Sequence, residues 1–179
     1  VNPKYALKLL SQMVKGDTII TADVGQNQIW TARNFNIRES MKFLASGGLG
    51  TMGYSLPAAI GAKMACIDKS VIAIVGDGGF QMSLSELGTI AEYGLKLIIL
   101  LFNNSGLGMV REIQNNRYSE NYGVAINSNP DFVKLVEAYG LKGKRVMDNK
   151  QLKDTFLEAM SSDKTFLIEC CVDPIESTL

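Results

Sequence analysis

The sequence predicts a doubly wound α/β domain, with a parallel sheet of about six strands and helices on both faces. Short apolar runs bounded by turn residues alternate with segments of helical periodicity. Two of the runs, VIAIV at 71–75 and LIILLF at 97–102, are apolar at every position, as strands covered on both faces are. No repeat or linker interrupts the pattern, so we expect residues 1–179 to form one domain.

Each element follows from local pattern. The predicted strands are 18–22, 42–45, 70–75, 97–102, 144–147 and 165–172, and the predicted helices are 5–14, 26–34, 55–66, 83–93, 107–115, 131–139 and 151–160. Asn129-Pro130-Asp131 predicts a helix start, with Asn or Asp as the cap and Pro in the first turn. Gly94 and Gly140 each follow a predicted helix, where a left-handed residue is favoured.

Charge and hydropathy exclude several classes of function. Lys+Arg and Asp+Glu number 18 each and no basic cluster occurs, so we expect no nucleic-acid partner. No apolar run approaches the roughly 20 residues that span a bilayer, so we expect no membrane insertion. The first residues do not have the pattern of a signal peptide, and we expect a cytoplasmic protein.

The residues that are missing narrow the chemistry further. The chain has no histidine, which excludes Ser-His-Asp and Cys-His catalysis and His-ligated metals. Cys66, Cys170 and Cys171 lack Cys-x-x-Cys spacing and are expected to be small core residues, the last two on opposite faces of a strand. Reactive chemistry must therefore come from carboxylates or a bound cofactor. Because the sequence begins with Val1, we expect a piece of a longer protein.

A candidate metal site follows two neighbouring predicted strands. Gly76-Asp77-Gly78-Gly79 comes directly after VIAIV, and Asn104 lies 27 residues beyond Asp77, after LIILLF. The carboxyl ends of parallel strands share one edge of the sheet, where ligands bind. Oxygen ligands suit Mg²⁺, and glycines let backbone N–H groups approach a phosphate. Taken alone, the Gly-Asp-Gly sequence could equally be a plain turn.

Two further glycine segments end predicted strands. Gly48-Leu49-Gly50-Thr51-Met52-Gly53 spells the dinucleotide-binding pattern, and Asp68 lies 20 residues after Gly48. Asp68 precedes a strand, however, and so lies at the wrong end of the sheet for NAD. The segment 24–28, Val-Gly-Gln-Asn-Gln, suits hydrogen bonding to a diphosphate, although Gln26 and Asn27 could instead cap a helix.

The combined pattern resembles a known family. Gly-Asp-Gly followed by Asn-Asn after roughly 25–30 residues resembles the signature of thiamine diphosphate (ThDP) enzymes. The stretches SGGLGTMGYSLPAAIGA, GDGGFQMSLSELGTI, FNNSGLGMVRE and NPDFVKLVEAYG resemble acetolactate (acetohydroxyacid) synthase large subunits over most of the chain. The closing CVDPIES resembles the tail of that family. The resemblance implies that this chain is the C-terminal, diphosphate-binding part of a three-domain enzyme.

The resemblance also implies roles for individual residues. The side chains of Asp77 and Asn104 and the carbonyl of Gly106 would bind Mg²⁺. The Gly50 carbonyl would accept a bond from the aminopyrimidine, and Met52 would hold ThDP in a V shape. The cofactor-binding residues it implies are Gly25, Gln26, Asn27, Gly50, Met52, Gly76, Asp77, Gly78, Gly79, Asn104, Gly106, Leu107, Gly108 and Met109.

The implied reaction is the decarboxylation of pyruvate and condensation of the resulting two-carbon unit with a second 2-oxo acid, in branched-chain amino acid biosynthesis. The implied partners are the pyrimidine-binding domain of another subunit in a homodimer or tetramer and, as a candidate, a regulatory small subunit. Any FAD would bind mainly outside this chain, which alone should be inactive. Ile113 replaces the tryptophan common in the family, which puts a preference for 2-oxobutyrate in doubt. Alternatives are another ThDP-dependent 2-oxo acid decarboxylase, oxidase or carboligase, or a non-catalytic assembly domain.

Overall fold

The computed structural model describes residues 1–178, which contain six strands and eight α-helices. The strands are β1 (Ile19–Ala22), β2 (Lys42–Ala45), β3 (Val71–Gly76), β4 (Ile98–Asn103), β5 (Lys142–Val146) and β6 (Phe166–Cys171). The helices are α1 (Pro3–Met13), α2 (Gln26–Asn34), α3 (Ser55–Ala65), α4 (Asp77–Met82), α5 (Glu86–Glu92), α6 (Gly108–Arg117), α7 (Phe132–Ala138) and α8 (Leu152–Ser161). A short 3₁₀ turn, Asn149–Gln151, leads into α8.

The strands form one parallel sheet in the order β2-β1-β3-β4-β6-β5. The doubly wound parallel fold predicted from the sequence is therefore confirmed, with β3 and β4 at the centre. From β1 the chain moves outward to β2 and then returns to β3 on the other side of β1. Such a reversal leaves a crevice beyond the carboxyl ends of β1 and β3, where ligands bind in open α/β sheets.

Alternation along the strands supplies a core on each face of the sheet. In β3, Ile72 and Ile74 belong to the cluster that packs under α1, α2 and α8, which also contains Trp30 and Phe156. Val75, from the same strand, belongs to the opposite cluster under α3, α5 and α7. Two covered faces explain why the central strands are apolar throughout.

The main departure from the predicted elements is α4. The glycines of Asp77-Gly78-Gly79 favour a loop, yet the chain is helical from Asp77 to Met82 because Phe80 is fully buried against Phe132. The single helix expected at 83–93 is therefore replaced by α4 and the shorter α5. Most other boundaries differ by one or two residues, which is the normal uncertainty of helix ends.

The predicted start of α7 is partly wrong. Asp131 is the cap, because its side chain accepts a bond from the Lys134 N–H. Pro130 precedes the cap instead of lying in the first turn, and the Asn129 side chain donates to Asp77 instead of capping the helix. Gly94 and Gly140 have positive φ angles of 57° and 73°, as expected after a helix.

The cysteines are all free thiols. Cys170 is fully buried, whereas Cys66 and Cys171 are partly buried, so the expectation that all three are core residues is confirmed for Cys170 alone. Burial raises the pKa of the Cys170 thiol. Within residues 1–178, none of the helices has the length and apolar character needed to cross a bilayer.

Candidate functional site

A cleft lies at the crevice between β1 and β3, and its walls come from the segments that follow β1, β3 and β4. Its lining residues are Val24, Gly25, Gln26, Asn27, Trp30, Met52, Gly76, Asp77, Gly78, Gly79, Phe102, Asn104, Gly106, Leu107, Gly108, Met109 and Val110. All the site residues predicted from the sequence are among them except Gly50. Gly50 lies on the exposed turn after β2, with a φ of 65°.

Three helices begin at this cleft. The residues before their first turns are Gly25 for α2, Gly76 for α4 and Leu107 for α6, and none of the three provides a side-chain cap. Free N–H groups at a helix start, together with the helix dipole, favour a bound anion. The helix-cap interpretation of Gln26 and Asn27 finds no support, because no side-chain cap bond is made at the start of α2.

Glycines are needed around the cleft because larger residues would collide with its walls. A Cβ on Gly108 would lie 1.8 Å from Gln26 Oε1, and a Cβ on Gly106 would lie 2.7 Å from the Val124 carbonyl oxygen. A Cβ on Gly78 would lie 2.8 Å from Leu107 Cδ2, the flexible end of a side chain, so this position is the most tolerant of the three. These three positions are close approaches of backbone to neighbouring groups, as expected where a ligand is gripped by the main chain.

Among residues 1–178, Asp77 is the only one with a carboxylate side chain on the cleft wall, and it is 1% exposed. Burial raises its pKa, while a hydrogen bond from Asn129 and backbone N–H groups of Asp77, Gly78 and Gly106 lower it. Asn129 Nδ2 lies 2.7 Å from Asp77 Oδ2. A buried anion is costly, and a bound cation would offset that cost.

Asn104 lines the same cleft as Asp77 and is held by Gln26. Asn104 Nδ2 donates to Gln26 Oε1 at 2.8 Å, so the carbonyl oxygen of Asn104 points away from Gln26. Gln26 Nε2 donates to Glu112 Oε1 at 3.0 Å and to the Glu176 carbonyl at 2.8 Å. The polar atoms of Gln26 are thus engaged by protein, and it acts on Asn104 more directly than on any ligand.

Asn27 differs from its neighbour. Its side chain is 4% exposed and its Oδ1 atom has no hydrogen-bond partner. Its Nδ2 atom makes only a long contact of 3.5 Å with the Val24 carbonyl. A buried amide on a cleft wall with an unpaired atom is a group available to a ligand.

Met52 reaches the cleft from the turn between β2 and α3. Its Cε atom would lie 3.4 Å from a Cβ on Gly78, so the thioether ends close to the Gly78 backbone. The dinucleotide alternative fails here. In that motif the glycine-rich segment opens the helix, whereas α3 begins only at Ser55, after the last glycine. Asp68 lies in a separate cavity at the amino edge of the sheet, together with Lys63.

The sequence assigned no individual role to two residues that hold the site together, although residues 23–28 as a group were expected at this edge of the sheet. Asp23 follows β1 and accepts N–H bonds from Gly53 and Ser55, both at 3.0 Å. Its position directly after a buried strand was a usable signal. Asn129 lies in the irregular segment before α7, where no periodicity points to the cleft. Trp30, Phe102 and Val110 also line the cleft without having been predicted to do so.

The residues of the cleft fit a magnesium-bound diphosphate. The predicted donor set is one carboxylate, one amide oxygen and one backbone carbonyl, all of them oxygen atoms suited to Mg²⁺. So few protein ligands match an ion that shares its coordination with phosphate oxygens. In residues 1–178 no group of three or more Cys, Asp and Glu side chains is arranged as a separate metal site.

The family model for the C-terminal TPP (thiamine pyrophosphate) binding domain of thiamine pyrophosphate enzymes matches residues 23–170. The chain belongs to this family. The match begins at Asp23, directly after β1, and ends at Cys170 in β6, so it spans every segment of the cleft described above. ThDP as the bound cofactor follows from membership of the family.

Individual relatives confirm the narrower resemblance to acetolactate synthase large subunits. A probable acetolactate synthase large subunit of Methanococcus aeolicus is 47% identical over 90% of this chain. The acetolactate synthase large subunit of Lactococcus lactis is 41% identical over 100% of it, and isozyme 2 of Escherichia coli is 38% identical over 96%. The chain spans 27% of the first of these relatives and 31% of each of the other two.

Proposed function

We propose that this chain is the ThDP- and Mg²⁺-binding domain of an acetolactate synthase. The whole enzyme would decarboxylate pyruvate and condense the two-carbon unit with a second 2-oxo acid, in branched-chain amino acid biosynthesis. The observation that carries the proposal is the presence of Asp77 and Asn104 on the walls of one cleft where three helices without side-chain caps begin. Positive helix ends and one buried carboxylate together suit a diphosphate with its divalent cation.

The chain's own residues would bind and orient the cofactor. Asp77 and the carbonyl oxygens of Asn104 and Gly106 would hold Mg²⁺, and the first turns of the three helices would receive the diphosphate. Met52 would support the bent cofactor from below. When bound, ThDP supplies the nucleophilic carbon and electron sink on which decarboxylation of a 2-oxo acid depends.

The remaining contacts would come from outside the chain. In the resembling enzymes a glutamate on a pyrimidine-binding domain, usually of another subunit, activates the aminopyrimidine, and no segment here resembles that domain. We therefore propose a homodimer or tetramer whose site is shared between domains, and an isolated chain that is inactive. Ile113 is 47% exposed on α6, so it is accessible to a substrate or to a neighbouring domain.

Cofactor binding is tested by calorimetry on the full-length protein, titrating ThDP with Mg²⁺ and again after chelation with EDTA. We expect saturable binding that depends on Mg²⁺, because the diphosphate and Asp77 would repel one another without a cation. Equal affinity with and without the metal would contradict the magnesium assignment while leaving ThDP binding intact.

The reaction is tested by product analysis of the full-length protein with pyruvate, ThDP and Mg²⁺. We expect acetolactate. Acetaldehyde or acetyl phosphate in its place would favour another ThDP-dependent decarboxylase or oxidase. Competition between pyruvate and 2-oxobutyrate as the second substrate then measures the effect of Ile113, with Ile113→Trp as the matched variant.

A further inference from the structure

We propose that Asn129 is a positioning residue for the metal site: it orients the Asp77 carboxylate and ties it to the loop that carries Asn104 and Gly106. This inference rests on the proposed function, because it concerns the same cleft. Asn129 is not among the residues that line the cleft, and it lies 52 residues beyond Asp77 in the chain. It acts on the site only through other side chains.

Both N–H groups of the Asn129 amide are used, and its oxygen accepts one bond. Its Nδ2 atom donates to Asp77 Oδ2 at 2.7 Å and to Asn103 Oδ1 at 3.1 Å. Its Oδ1 atom accepts from Gln81 Nε2 at 2.8 Å. Asn129 is therefore a hydrogen-bond donor to the Asp77 carboxylate, while its own oxygen is directed to Gln81.

The choice of an amide has an electrostatic reason. A neutral donor fixes one oxygen of Asp77 and leaves the negative charge in place for a cation. A lysine or arginine at the same position would neutralise that charge and repel Mg²⁺. Because Asp77 Oδ2 accepts the bond from Asn129, the carboxylate is held in one orientation. Outer partners of metal ligands orient those ligands in the same way.

Asn129 also braces the loop after β4. Asn103 Oδ1, which accepts from Asn129, also accepts from the Ser105 N–H at 3.1 Å. Ser105 has a φ of 54°, a conformation that costs energy for a residue with a side chain and needs support. Two side chains, Asn129 and Asn103, thus connect the Asp77 carboxylate to Ser105, the residue with positive φ.

The segment that carries Asn129 is fastened to the same loop by its backbone. The Leu107 N–H donates to the Val124 carbonyl at 2.8 Å, and the Ile126 N–H donates to the Ser105 carbonyl at 2.9 Å. Asn129 is therefore delivered by a segment already paired with the metal-binding loop.

A second set of bonds fixes the far side of the network. Asn103 Nδ2 donates to Glu169 Oε1 and Arg145 Nε donates to Glu169 Oε2, both at 2.8 Å. Arg145 Nη2 donates to Asp131 Oδ1 at 2.8 Å, and Asp131 caps α7 two residues after Asn129. This series of bonds begins at Asn129 and returns to its own segment at Asp131. The position of Asn129 is therefore fixed by its bonds to Asp77 and Asn103 and by the anchoring of Asp131.

The test is calorimetry of Mg²⁺-dependent ThDP binding to the full-length protein, for wild type, Asn129→Ala and Asn127→Ala. Asn127 is an exposed asparagine of the same segment and serves as the matched control. We expect Asn129→Ala to raise the Mg²⁺ concentration for half-saturation about 10- to 100-fold, the usual effect of removing an outer partner of a metal ligand. Asn127→Ala should leave it unchanged.

A purely structural role would lower the stability of Asn129→Ala without changing the Mg²⁺ dependence, and that result would overturn the proposal. Should Asn129→Ala fail to fold, Gln81→Ala decides: it removes the bond to Asn129 Oδ1 without touching Asp77, and we expect a smaller shift in the same direction. An unchanged Mg²⁺ dependence there would also overturn it. Wild type without Mg²⁺-dependent binding would overturn the proposed function as well, whereas binding by wild type with unaffected variants overturns this inference alone.

Discussion

Asp23 and Asp77 are two buried carboxylates at the same edge of the sheet, yet their surroundings differ. Each follows a strand beside the crevice, and burial raises the pKa of both. Both Asp23 oxygens accept backbone N–H bonds, from Gly53 and Ser55. Asp77 accepts a side-chain bond from Asn129, is approached by the backbone N–H groups of its own helix start, and lines the cleft, which Asp23 does not. A raised pKa therefore does not distinguish a binding residue from a structural one here, whereas a position on the cleft wall does.

The largest expected effect is that of Asp77→Ala on cofactor binding. We expect ThDP affinity in the presence of Mg²⁺ to fall more than about 100-fold, because losing an outer partner of a ligand alone costs about 10- to 100-fold. The free energy of unfolding without cofactor should change by less than about 1 kcal/mol, since a penalised buried charge and a hydrogen bond disappear together. Calorimetry and urea denaturation measure the two quantities. Undiminished affinity would remove Asp77 from the metal site.

Asp23→Ala should have the opposite profile. It leaves the N–H groups of Gly53 and Ser55 without their acceptor, and we expect the free energy of unfolding to fall by about 2–4 kcal/mol. Urea denaturation measures this, with Asp17→Ala as an exposed control of the same chemistry. If Asp23→Ala loses no more unfolding free energy than Asp17→Ala, the structural role assigned to Asp23 is wrong.

Gly79→Ala tests how rigidly Asp23 is held, because the added methyl group would meet the Asp23 carboxylate. An added Cβ would lie 2.7 Å from Asp23 Oδ1, a carboxylate fixed by two bonds. We expect a loss of about 1–3 kcal/mol in unfolding free energy. The matched variant Gly78→Ala meets the flexible end of Leu107 and should lose less. Equal losses in urea denaturation would show that Asp23 is able to shift.

The smallest expected effect is on the pH dependence of stability. Because burial raises the pKa of Asp23 above 3.8, the folded chain binds this proton more tightly than the unfolded chain. The free energy of unfolding should therefore fall as pH rises from about 3.8 through the folded-state pKa. Asp23→Asn should lack this contribution while Asp77 still titrates in both proteins. Urea denaturation from about pH 4 to about pH 7 tests this, and parallel profiles for the two proteins would refute it.

The sequence predicted the parts of the site that regular strands deliver. Asp77 and Asn104 follow apolar runs whose ends are readable, so their meeting at one edge could be foreseen. Asn129 could not, because its position depends on the path of an irregular segment held by backbone bonds to Ser105 and Leu107. The helix at Asp77–Met82 was also missed, since burial of Phe80 outweighs the low helix propensity of glycine.

Trp30 gives the cleft an optical reporter of its own. It is the only tryptophan of the sequence and it lines the cleft, 5.8 Å from the Phe102 ring between centroids and nearly perpendicular to it. Its indole N–H donates to the Ser177 carbonyl at 3.0 Å, so the ring is held in one orientation. In the 179-residue chain, all indole emission comes from this single position on the cleft wall. Its intensity and wavelength should follow occupancy of the cleft without any attached dye.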